Sequence, residues 1–101
     1  MLAGNILSNV CQMIDVAANG GRIPAGAFGL IHGATNTLRE ESIADETVRA
    51  TEDLAVALLR LEWGIRKRDA EATESARDKL RSIRSKLADS LSEAVWQPPH
   101  C

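Results

Sequence analysis

His32 is the side chain in this sequence best suited to chemistry. It stands in the stretch Ile31-His32-Gly33-Ala34-Thr35-Asn36-Thr37-Leu38. On a helix, Asn36 lies one turn beyond His32, close enough to orient the imidazole ring. An exposed ring nitrogen held in this way can attack a phosphoryl group.

The His-x-x-x-Asn-x-Leu spacing resembles the phosphoacceptor region of some histidine kinases and phosphotransferases, over eight residues from Ile31 to Leu38. The resemblance implies a phosphohistidine at His32, within a phosphotransfer or dimerisation module. Gly33 occupies the place where an acid often follows the histidine, so the resemblance carries no general base with it.

Other chemistry finds little support in the spacing. A metal site needs three or four converging ligands. His32, His100, Cys11 and Cys101 are scattered, with no Cys-x-x-Cys and no Glu-x-x-His. Gly26-x-x-Gly29-x-x-x-Gly33 lacks the Lys-Ser/Thr ending of a phosphate-cradling loop. No serine, acid and histidine approach the spacing of a hydrolytic site. The sequence therefore predicts no metal, no cofactor and no enzymatic activity.

Charge is segregated although the net charge is only −2. Residues 1–38 carry only Asp15 and Arg22, residues 40–53 are acidic, and residues 77–86 are basic. Arg77, Arg81 and Arg84 fall on one helical face, and with Arg66, Lys67 and Arg68 they could line up phosphates. Interleaved acids, an acidic isoelectric point and the lack of aromatic residues in the run argue against nucleic acid. They favour a solvated face or a contact to an acidic protein partner.

The apolar candidates lie elsewhere. Ala25, Gly29 and Gly33 place small side chains on one stripe of a helix, flanked by Phe28 and Ile31. Small residues let two backbones approach, either inside the bundle or between copies. Trp63 stands off the main apolar stripe of its helix, and Trp96 precedes the prolines that end the chain's last helix. Tryptophan is enriched among interface hot spots. Phe28, Gly29, Ile31, Gly33, Trp63, Arg77, Arg81, Arg84 and Trp96 are thus the candidate partner-binding residues.

The elements that position these residues are helices. With one Phe, two Trp and no Tyr, the core must be Leu, Ile, Val and Ala, and Ala and Leu lead the helix scale. Apolar spacing predicts a first helix over about residues 4–19, stopped by Gly20-Gly21, and a second from about Pro24 to Arg39. A third starts at the capping box Ser42-Ile43-Ala44-Asp45, with Ile43, Thr47, Ala50, Leu54, Leu58, Leu61 and Ile65 inward. A fourth starts at Asp69, with Ala72, Ala76, Leu80, Ile83, Leu87, Leu91 and Ala94 inward, and stops at Pro98-Pro99.

The expected fold is an all-α bundle of about four helices in one domain, residues 1–101. Residues 1–40 form the apolar Gly/Ala-rich pair, 42–96 a long antiparallel hairpin, and 97–101 a tail. A chain this short buries limited surface, so a homodimer through the first two helices is expected. Two cysteines, no signal-peptide pattern and no long apolar run point to a cytoplasmic protein that does not enter membranes. The function expected first is a non-enzymatic protein–protein interaction module, a small regulator, adaptor or inhibitor of the type encoded by phages or mobile elements. Phosphotransfer at His32 is the alternative, and a nucleic-acid contact along the basic fourth helix is a further one.

Overall fold

The computed structural model describes residues 2–41 and 45–95, and among them it holds four helices and no strand. They are α1 (Leu2–Ala18), α2 (Ala27–Glu40), α3 (Asp45–Arg66) and α4 (Ala70–Val95). The chain is all-α, as its composition requires. The capping box at 42–44, Trp96, His100 and Cys101 lie outside the described residues.

Glycine ends α1 as expected. Gly20 takes the left-handed conformation at φ 91°, and the Gly21 N–H donates to the Val16 carbonyl at 2.8 Å. This closes the terminal carbonyls of the helix in a Schellman-type turn. α2 starts three residues later than Pro24, because Gly26 sits at φ 83°. That conformation cannot belong to a right-handed helix. Residues 24–26 form a turn instead, in which the Ala27 N–H reaches the Pro24 carbonyl at 3.1 Å.

The α3–α4 connection is only three residues long, Lys67 to Asp69. Arg68 is left-handed at φ 53°, its N–H donating to the Ile65 carbonyl at 3.1 Å. The Asp69 N–H donates to the Gly64 carbonyl at 2.9 Å, so the pair of bonds makes a Schellman motif with Arg68 in the glycine position. Asp69 then starts the next helix: its carboxylate accepts the Ala72 N–H at 3.0 Å. One residue closes α3 and caps α4.

Packing follows from the inward stripes. α3 packs on α4 and α2, and α1 packs on α4 and α2. Thr47 and Ser90 share a 2.7 Å hydrogen bond at one end of the α3–α4 pair, while Gly64 lies against Thr73 at the other. The core is aliphatic, built on Leu7, Val10 and Ile14 of α1, Ile31 and Leu38 of α2, Leu54, Leu58 and Leu61 of α3, and Leu80, Ile83 and Leu87 of α4. Between α2 and α3, Thr51 donates to the Val48 carbonyl at 2.6 Å and accepts from Thr35 at 2.8 Å. These buried hydroxyls are thereby satisfied, as burial requires.

Ile65 departs from the inward stripe predicted for α3 and is 48% exposed. It lies in the last turn of α3, and α2, which packs against that helix, meets it at Thr51 and Glu52 rather than here. Correct periodicity does not bury a side chain where no neighbouring element covers it.

Candidate functional site

The outward face of α3 carries the largest concentration of exposed apolar side chains among the described residues. Val56 is 49% exposed, Leu59 57% and Trp63 56%. Their spacing of three and four puts them on one side of the helix. The opposite side supplies Leu54, Leu58 and Leu61 to the core, so the helix cannot turn to hide them. A groove of about 750 Å³ runs beside this face between α3 and α4. Asp53, Val56, Ala57, Arg60 and Trp63 form its α3 wall, and Ala72, Ser75, Ala76, Asp78, Lys79 and Ser82 its α4 wall.

Gly64 explains why the two helices lie so close here. A Cβ at this position would stand 2.8 Å from Thr73 Oγ1 and 3.0 Å from the Thr73 backbone nitrogen. The close approach of backbones that a glycine permits occurs at this residue, which sequence reasoning passed over. Val56 and Leu59 were passed over too. Their signal was present: apolar residues out of phase with the core stripe, at helical spacing with Trp63.

Two of the three arginines of α4, Arg81 and Arg84, are hydrogen-bonded within the chain. Arg84 donates through Nε to Asp15 Oδ1 at 3.0 Å and through a terminal nitrogen to Oδ2 at 3.3 Å. That hydrogen bonding raises the Arg84 guanidinium above its ordinary value. Arg81 donates to Asp78 at 2.8 Å, to Glu74 at 3.3 Å and to the Ala18 carbonyl at 3.0 Å. It thus closes the C-terminus of α1 with a cation, where the helix dipole favours one. Arg77 is part-buried and sits 3.7 Å from Glu74. Arg81 and Arg84 hold α1 and neighbouring acids, whereas the buried Nε of Arg77 has no hydrogen-bond partner among the described residues.

On α2, Ile31 is buried and Phe28 half-buried against the core, while Gly29, His32 and Gly33 are exposed. A Cβ at Gly29 or Gly33 would meet nothing within 4 Å. Neither glycine is therefore required for packing inside the bundle. His32 Nε2 lies 3.4 Å from Asn36 Nδ2, in the side-chain arrangement the spacing implies. Both belong to a smaller groove between α2 and α3, with Phe28, Thr35, Arg39 and Glu52. Arg39, the nearest cation there, is held by Glu52 at 2.9 Å.

Cys11 is buried in the α1 core, and burial pushes its thiol above the ordinary range, with Arg84 acting in the opposite direction. Among the described residues no three His, Cys, Asp or Glu side chains group as metal ligands, and no helix is long and apolar enough to cross a membrane.

No protein-family model matches the chain, and no curated protein or solved structure matches it.

Proposed function

We propose that this protein is a non-enzymatic protein–protein interaction module, working in the cytoplasm as a small regulator, adaptor or inhibitor, and that it docks through the outward face of α3. The observation that carries this reading is the exposed row Val56, Leu59 and Trp63 on a helix whose other side is locked into the core. An apolar patch exposed on a folded protein usually binds something. A tryptophan beside a groove, flanked by charged residues, has the makeup of an interface centre and rim.

The experiment compares capture by the wild-type chain and by Leu59→Glu and Trp63→Glu variants, each first shown folded by circular dichroism. Partners held by wild type and lost by both variants support the reading. Partners held equally by all three chains overturn it.

A second reading rests on one specific observation: His32 is exposed and adjoins Asn36. As a phosphotransfer module, the protein would carry acid-labile phosphate on His32 after incubation with a small-molecule phosphoryl donor. The phosphate would be absent from His32→Gln. A wild-type chain that takes up no label overturns this reading.

A further inference from the structure

The charges that border the apolar row on α3 are arranged unevenly along the helix. Asp45, Glu46, Glu52 and Asp53 lie before Val56, and Arg60, Arg66 and Lys67 lie after it; Arg49 and Glu62 break the order, and Glu62 is held by Arg66 at 3.0 Å. All but the part-buried Glu62 are exposed. Among the described residues, Asp45, Glu46, Arg49, Asp53, Arg60 and Lys67 make no ion pair within the chain. The outward face thus has an acidic end, an apolar middle and a basic end.

Such a face is complementary to itself when turned end over end. We infer that its occupant is a second copy of this chain, paired antiparallel through α3 across a two-fold axis passing beside Val56. The inference rests on the interaction-module reading and names its partner. Around that axis Val56 meets Val56, and Asp53 of each copy lies against Arg60 of the other. Glu46 lies toward Lys67, and Arg49 reaches the face of Trp63, where a guanidinium is attracted by the indole. Every contact occurs twice, as a two-fold interface demands.

Charge disfavours the competing geometry. A parallel pair would set Asp53 on Asp53 and Arg60 on Arg60, and like charges facing each other suppress association.

Sedimentation equilibrium of the full chain tests the pairing. The wild type should dimerise, and Arg60→Glu should weaken the dimer by about tenfold or more, because each substitution places like charges at two symmetric sites. Asp53→Arg combined with Arg60→Glu should restore it. Circular dichroism of each variant separates lost pairing from lost folding. Since neither residue is paired within the chain, both variants should keep the wild-type helix content.

A wild type that remains monomeric up to about 1 mM overturns the self-pairing. A dimer indifferent to Arg60→Glu, or one not rescued by the double exchange, overturns it as well. The interaction-module reading then stands or falls separately, on whether Leu59→Glu and Trp63→Glu lose partners that the wild type holds.

Discussion

Asp15 on α1 and Arg84 on α4 face each other across the bundle in a two-point contact, Nε to Oδ1 at 3.0 Å and a terminal nitrogen to Oδ2 at 3.3 Å. They join residues 69 positions apart. The only acid in the first 38 residues is the one that receives this arginine. The basic run of α4 is accordingly read as the fastening of α1, with Arg81 on the Ala18 carbonyl one turn away.

Arg84→Ala should lower stability, but modestly. The two side chains are 36% and 50% exposed, so water screens the pair. Such pairs contribute about 0.2–1 kcal/mol. A urea-melt cycle of Asp15→Ala, Arg84→Ala and the double variant should give a coupling within that range. A coupling of zero would show that the contact does not hold α1.

Gly64→Ala and Gly29→Ala should act in opposite directions, although both replace helical glycines. Alanine gains about 1 kcal/mol of helix propensity at either site. At Gly64 the new methyl would press on Thr73, including its backbone, and overpacking of this kind costs about 1–3 kcal/mol. Gly64→Ala is expected to lower the melting temperature. Gly29→Ala and Gly33→Ala, which face open space, are expected to raise it. If the α2 alanines also leave self-association unchanged, the small-residue stripe of α2 is not the dimer contact. A loss of association on Gly29→Ala would return the interface to α2.

Arg68→Gly should stabilise the protein. A non-glycine residue in the left-handed region costs about 1–2 kcal/mol, and Arg68 stands there at φ 53°. Its carbonyl-capping bonds are made by the backbone and survive the change. Thermal melts that show no gain for the variant would place the strain elsewhere.

Cys11 should give the protein a pH dependence on the alkaline side. Burial favours the neutral thiol in the folded chain, so its folded value lies above the unfolded one. The stability it contributes is complete below about pH 8.5, where unfolded thiols begin to ionise. It is lost as pH rises further through the folded value. In a Cys101→Ser background, the melting temperature should fall more steeply above about pH 8.5 than in the same background carrying Cys11→Ala. Parallel pH profiles for the two chains would contradict the assignment.

Much of the fold was legible because it rests on local rules. The inward residues of α4 from Ala76 to Leu87 follow from period alone, and Asp69 announces itself as a helix cap. The start of α2 was misplaced because Pro24 signals a helix start, whereas a sequence does not disclose that Gly26 takes a left-handed conformation. Ile65 was misplaced because periodicity does not reveal where a covering helix stops. The candidate surface was harder still. Trp63 stood out by its type, whereas Val56 and Leu59 are marked only by being apolar and out of phase with the inward stripe of Leu54, Leu58 and Leu61, and their exposure rests on packing. The fastening of α1 by Arg81 and Arg84 was not legible because their partners, the Ala18 carbonyl and Asp15, are distant in sequence.

The central claim is that the outward face of α3 is a contact surface. Site-specific photo-crosslinking measures this most directly, with the crosslinker at position 59 in cells that make the protein, and at position 71 on the exposed start of α4 as control. Discrete protein adducts are expected from position 59, the adduct of two copies among them, and few or none from position 71. Position 59 yielding no more adduct than position 71 would contradict it.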